Sequence, residues 1–147
     1  MLYIFDKDGT LVGGASNRPA NAPEEQILLP GVAEKIAALK AAWHKIAIAS
    51  NQGGVAWGFI SLAQAEALVM DAAKKIGADD YLLCPHDDRK NHACECRKPR
   101  PGMLINLMEA NGFSPAETIL IGDQESDRQA ADAAGCQFVW ASEFFGG

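Results

Sequence analysis

Five short apolar runs, at residues 2–5, 45–50, 81–84, 118–121 and 137–140, alternate with segments whose apolar residues recur every three or four positions. Runs this short, stopped by glycine or polar residues, read as buried strands, and the longer periodic segments between them as helices. Val32, Ile36, Leu39 and Trp43 fall on one helical face. Ser61 and Gln64 form a capping-box pattern before Ala65, Leu68, Val69, Ala72 and Ile76, with Gly77 as the stop. Pro101 is placed to open a third helix that turns Leu104, Leu107 and Met108 to the core and ends at Gly112. A fourth covers about 125–134, ended by Gly135. Regular strand–helix alternation requires a parallel sheet with helices on both faces. The expected architecture is α/β, a three-layer Rossmann-like sandwich, as a single domain over residues 1–147. Residues 13–30 and 85–100 stay irregular, the first as a long loop and the second as a polar loop bearing cysteines.

In such sheets, ligands bind beyond the carboxyl ends of the strands. Asp6 and Asp8, Ser50, and Asp123 all stand at those ends. Residues two apart in extended chain point the same way, and Gly9 permits a sharp departure from the strand. Two carboxylates held close do not both stay ionised without a cation between them or a proton on one. The pattern therefore points to a divalent metal, an acid–base role, or both; an Asp-Gly turn with exposed carboxylates is the alternative for the dipeptide alone. Asp123 ends an apolar strand, whereas Glu125 and Asp127 fit the favourable charge of a helix N-terminus. Lys98, in the basic run 97–100, offers an ammonium to neutralise an anion, with solvated surface as the other reading. Ser50, Asn51 and the glycines that follow offer a hydroxyl and backbone N–H groups to phosphate oxygens.

Cys84, His86, Cys94 and Cys96 supply three thiols and an imidazole, a set suited to tetrahedral zinc. His92 is a competing ligand; Cys136 reads as a small core residue and His44 as structural or exposed. With four protein ligands the site is closed and structural, a pin that holds Arg97 and Lys98 in place.

Together these segments resemble the haloacid dehalogenase-like (HAD) phosphatase superfamily. Asp6-Lys7-Asp8-Gly9-Thr10-Leu11 matches its first signature in full, Ser50 the second motif, Lys98 the third, and Gly122-Asp123 with Asp127 the fourth. The resemblance implies that Asp6 is the nucleophile and Asp8 the general acid and base. It also implies that Mg2+ is held by the carboxylates of Asp6 and Asp123 and the backbone carbonyl of Asp8. Ser50, Asn51 and Lys98 would bind phosphate, and Asp127 would support the metal shell or Lys98. The Cys-Pro-His and Cys-x-Cys-Arg-Lys-Pro arrangement is similar to the capless, zinc-bearing branch that includes heptose bisphosphate and histidinol-phosphate phosphatases. There Arg97 would contact substrate phosphate. One departure stands out: where the heptose enzymes usually carry an Arg-Gly pair, this chain has Trp57-Gly58, which supplies no cation. Trp57 could stack on a sugar or base, or pack over the following helix.

The implied substrate is a small sugar phosphate such as a heptose bisphosphate. Histidinol phosphate is one alternative substrate; a nucleic-acid 3′-end phosphatase is another, with Trp57 and Phe59 stacking on bases and Arg18, Arg89 and Arg100 on phosphates. The net charge of −6 argues against a broad nucleic-acid or anionic-membrane surface. A phospho-acceptor module similar to response-regulator receivers would lack the acid two positions after the acceptor, which here is Asp8. No basic stretch precedes a long apolar run at the start, so no signal peptide and a cytoplasmic location are expected. The expected state is a monomer.

Overall fold

The computed structural model describes residues 1–14, 20–90 and 94–146. Its centre is a five-stranded parallel sheet in the order β5-β4-β1-β6-β7. The strands are β1 (Leu2–Phe5), β4 (Lys45–Asn51), β5 (Asp80–Cys84), β6 (Thr118–Gly122) and β7 (Gln137–Trp140). Helices α1 (Val32–Ala41), α2 (Leu62–Ile76), α3 (Gly102–Asn111) and α4 (Glu125–Ala134) make the crossovers. The α/β architecture with a central parallel sheet agrees with the sequence reading.

Each buried strand feeds both layers, because successive side chains point to opposite faces. Phe5, Ile46, Ile48 and Ile121 pack with Val32 and Ile36 of α1 and Val69, Ala72 and Ile76 of α2. Leu2, Ile4, Ala47, Ala49 and Leu120 pack on the other face with Met103, Leu104 and Leu107 of α3 and Ala130 and Ala131 of α4. The small Ala47 and Ala49 leave room for the bulkier α3 residues. Ser61 caps α2 through a complete capping box, and Gly77, Gly112 and Gly135 end their helices in left-handed conformation.

The chain runs outward from β1 through β4 to β5, then returns to lay β6 on the other side of β1. The switch point therefore lies between β1 and β6, and a crevice opens there beyond the strand ends. Register sets Phe5 level with both Ile48 and Ile121, so the residues after all three strands share one edge.

Three elements differ from the sequence reading. The 13–30 loop is not wholly irregular: β2 (Val12–Gly13) pairs antiparallel with β3 (Ile27–Leu28), after a 3-10 turn at Pro23–Glu25. Arg18 lies outside the described residues, as does His92. Trp43 does not join the α1 core face. The helix ends at Ala41, and Trp43 has φ 66° and is 91% exposed. A short helix α5 (Ala141–Phe145) follows β7 and lays Phe144 and Phe145 on Phe5, each with ring centroids 5.8 Å away. Among the described residues neither the β1–α1 nor the β4–α2 crossover holds a cap domain, and no helix is long and apolar enough to cross a membrane.

Candidate active site

The edge beyond β1 and β6 gathers three carboxylates and one ammonium. Asp6, Asp123 and Asp127 each offer an oxygen within 4.8 Å of the others. Lys98 Nζ donates to Asp6 at 2.8 Å, to Asp127 at 2.7 Å and to the Ala49 carbonyl at 2.7 Å. Lys98, Asp6 and Asp127 are all buried. Their close approach depends on two glycines. A Cβ at Gly9, whose φ is +81°, would strike the Asp123 carboxylate, and one at Gly122 would strike that of Asp127. Thr10 donates its hydroxyl to Asp123 at 3.2 Å.

Burial pushes the Asp6 carboxyl up to about 6, with Lys98 opposing the rise and Asp123 adding to it. Burial likewise raises Asp127. Burial pushes Lys98 down, but the two carboxylates outweigh it and hold its proton more tightly than usual. With all three acids ionised, two negative charges lack a partner, which is the charge of one divalent cation. Hard carboxylate oxygens suit Mg2+.

Lys98 spends its three N–H bonds on protein oxygens, so it presents a fixed point charge to the crevice rather than a free donor. Asn51 has a role that the sequence did not reveal. Its side chain accepts from Lys98 N at 3.0 Å and donates to Lys98 O at 3.1 Å, so its amide clamps the lysine's backbone to the end of β4. The Lys98–Pro99 peptide bond is cis. Ser50 Oγ accepts from Gln52 Nε2 at 2.7 Å, which leaves its own O–H able to donate. Gln52 also reaches Asp8 Oδ2 at 3.3 Å. Asp8 Oδ1 pairs with Lys7 Nζ at 2.7 Å. Asp8, Asn51, Gln52, Gly53, Gly54 and Phe59 help line a cavity of about 250 Å3.

Cys84, His86, Cys94 and Cys96 meet as a second cluster, with ligand atoms within 4.8 Å of one another. Tetrahedral zinc with Zn–S near 2.3 Å sets S–S edges of about 3.8 Å. The Cys84–Cys94 edge is 3.6 Å, and Nδ1 of His86 lies 3.4 Å from both Cys84 and Cys96. The Cys84–Cys96 edge, at 2.7 Å, is tighter than such an ion would impose. Burial pushes the Cys94 thiol up, but the Arg97 backbone N–H and the neighbouring thiols outweigh it and bring it down to about 6. Burial raises the Cys84 and Cys96 thiols instead, so of the three only Cys94 favours a thiolate without a metal. Cys136 stands apart from the cluster and is not fully buried.

Arg97 hangs on this cluster. Its N–H donates to Cys94 Sγ at 3.3 Å and its guanidinium to the His86 carbonyl at 2.8 Å. The guanidinium lies against Gly53, on the loop after Ser50. Trp57 hydrogen-bonds Asp87, and Arg89 and Lys90 sit 5.7 and 5.5 Å from its ring centroid. Phe59 is exposed beside it.

An α/β sheet with this acid cluster at its switch point is the frame of a hydrolase family. The sequence profile of the haloacid dehalogenase-like hydrolases matches residues 16–141, and the chain belongs to that family. It is an enzyme of the phosphatase class. Within the family it is similar to the D-glycero-β-D-manno-heptose-1,7-bisphosphate 7-phosphatases of Pseudomonas putida and Pseudomonas aeruginosa. Identity is 35% and 36%, over 94% of this chain and 80% and 79% of theirs. The crystal structure of D,D-heptose 1,7-bisphosphate phosphatase from B. bronchiseptica, complexed with magnesium and phosphate, superposes with a TM-score of 0.81. It is 32% identical and covers 93% of this chain and 78% of that one.

Proposed function

We propose that the chain hydrolyses phosphate monoesters through a phospho-aspartate on Asp6, and that its substrate is a small sugar phosphate of the heptose 1,7-bisphosphate kind. The observation that carries this reading is the convergence of the Asp6, Asp123 and Asp127 carboxylates, two of which, Asp6 and Asp127, share one buried ammonium. The unbalanced charge of that cluster fits a divalent cation, and the Asp6 and Asp123 carboxylates with the Asp8 backbone carbonyl would hold it. Mg2+ bound there supplies positive charge to the phosphoryl oxygens.

Asp6 forms a bond to phosphorus as the ester P–O bond breaks and its electron pair leaves on the ester oxygen. Asp8 gives that oxygen a proton. It then takes a proton from a water molecule, whose oxygen attacks phosphorus and releases Asp6 and inorganic phosphate. Ser50 donates its hydroxyl to the phosphoryl group, and Lys98 balances the group's charge from behind Asp6. Asp127 holds Lys98, and Arg97 faces the substrate from the Gly53 side. Arg89 beside the Trp57 ring is already paired with Asp87, so the cation that Trp57 does not supply would come from Lys90 over the same ring, which fits a substrate with a second anionic group.

The test is turnover with Mg2+ of heptose 1,7-bisphosphate, histidinol phosphate and a 3′-phosphorylated oligonucleotide. The heptose ester should lead in kcat/KM by about tenfold or more. A lead for the oligonucleotide would overturn the sugar-phosphate assignment.

Cys84, His86, Cys94 and Cys96 are assigned to a closed structural zinc site, whose reduced thiols suit a cytoplasmic setting. Elemental analysis should find zinc at about one ion per chain. Stripping it should raise KM more than it lowers kcat, because Arg97 depends on the cluster whereas Asn51 holds Lys98 independently. A zinc-free chain with unchanged KM would remove that role.

A further inference from the structure

Lys7 lies between the two carboxylates of the first motif in sequence, and its ammonium bonds Asp8 and Gln26. It is buried, at 1% exposure, an expensive place for an ammonium unless its charge and donors are met. Lys7 Nζ donates to Asp8 Oδ1 at 2.7 Å and to Gln26 Oε1 at 2.7 Å. Gln26 is itself buried, at 3% exposure. Its Nε2 donates to the Leu68 carbonyl at 2.9 Å and to Asp71 Oδ2 at 2.9 Å, both on α2. Lys75 closes the far end by pairing with Asp71 one turn along the helix. The backbone at Lys7 is fixed as well, since its carbonyl accepts from Leu11 at 2.9 Å and Val12 at 3.2 Å. A continuous line of hydrogen bonds therefore runs from the middle of α2, through the segment before β3, to one oxygen of Asp8.

That oxygen matters. A carboxyl oxygen that accepts from an ammonium is a poor seat for the acid proton, so the transferable proton is left to Oδ2. Oδ2 is the oxygen that faces Gln52 and, through it, Ser50, on the side where the phosphoryl group would lie. From this geometry we infer that Lys7 and Gln26 are positioning residues for proton transfer: they hold Asp8 so that Oδ2 meets the leaving-group oxygen. The inference rests on the phosphatase reading and on Asp8 as the acid.

The test is kcat/KM, with Mg2+, on two esters that differ in their need for an acid. An alkyl phosphate such as glycerol phosphate leaves as a strongly basic alkoxide unless protonated, whereas p-nitrophenyl phosphate leaves as a stable phenolate. Lys7→Met should lower kcat/KM on the alkyl ester by about 10–100-fold, part of the usual contribution of a general acid, and on the nitrophenyl ester by less than about threefold. Lys7→Arg, which keeps donors for both partners, should restore most of the loss. Gln26→Met leaves the Lys7–Asp8 pair intact and should show the same selectivity at smaller amplitude, so the inference stays testable if Lys7→Met does not fold. Equal losses on both esters, or no rescue by arginine, would overturn it while leaving the phosphatase reading in place. A wild-type chain that turns over neither ester, nor heptose 1,7-bisphosphate, would sink both.

Discussion

Asp6→Asn is expected to remove turnover of any phosphate ester, by roughly 10^5-fold or more, the scale of losing a covalent nucleophile, and yet to stabilise the metal-free protein at neutral pH. The first half follows from chemistry, since an amide cannot form the acyl phosphate. The second follows from electrostatics. Asp6 is buried and its carboxyl is raised to about 6. A carboxyl raised on folding contributes stability that is complete below the unfolded value, near 3.8, and is lost as pH rises through about 6. Metal-free wild-type protein should therefore melt at lower temperature at pH 7 than at pH 4.5. Mg2+ should restore the loss at pH 7 by binding the folded state. The asparagine variant should show neither the pH trend from this site nor most of the Mg2+ protection, and at pH 7 without metal it should gain about 1–3 kcal/mol. Thermal melts across pH, with and without Mg2+, read all of this. Turnover within tenfold of wild type would eliminate Asp6 as the nucleophile.

Lys98→Met should have the opposite effect on stability. The ammonium is the common partner of Asp6 and Asp127 and also meets the Ala49 carbonyl. Removing one member of a buried ion cluster costs about 3–5 kcal/mol, because the remaining charges stay desolvated and unpaired. Both carboxyls are already raised by burial, with Lys98 holding them down. Without it they rise further, so the variant's deficit should shrink as pH falls and they take up protons. Activity at neutral pH should fall on the order of 10^2–10^3-fold, the usual result of removing a preorganised charge facing a transition state. Equal stability of variant and wild type at pH 7 would show that the ammonium is not the centre of the cluster.

The parts of this molecule that the sequence reveals are those whose signals are local. Strand and helix alternate in the hydrophobic pattern, Ser61 and Gln64 announce a helix start, and Gly77, Gly112 and Gly135 mark helix ends. Acidic residues directly after apolar runs reveal the crevice, because the parallel sheet brings those ends together. What stayed hidden depends on distant partners. Val12–Gly13 and Ile27–Leu28 are too short to read as strands until they meet. The helix at 141–145 is only a turn or so long and owes its place to the rings of Phe5, Phe144 and Phe145. Trp43 continues the periodicity of α1 on paper, but the chain has already left the helix in a left-handed turn. Gln26 carries no motif at all; its partners Lys7 and Asp71 lie far along the chain on either side. Asn51 was legible as a polar residue at a strand end, but its engagement with the Lys98 backbone was not.

Because Asn51 grips Lys98 through the main chain on both sides, the height of that lysine above the sheet is read directly from the tip of β4. Provided His86, Cys94 and Cys96 are kept to hold Arg97, the rest of the intervening loop is then free to vary without moving the charge behind Asp6. Relatives could remodel it to suit new substrates, or an engineer could graft another in its place, and the chemistry would keep its anchor.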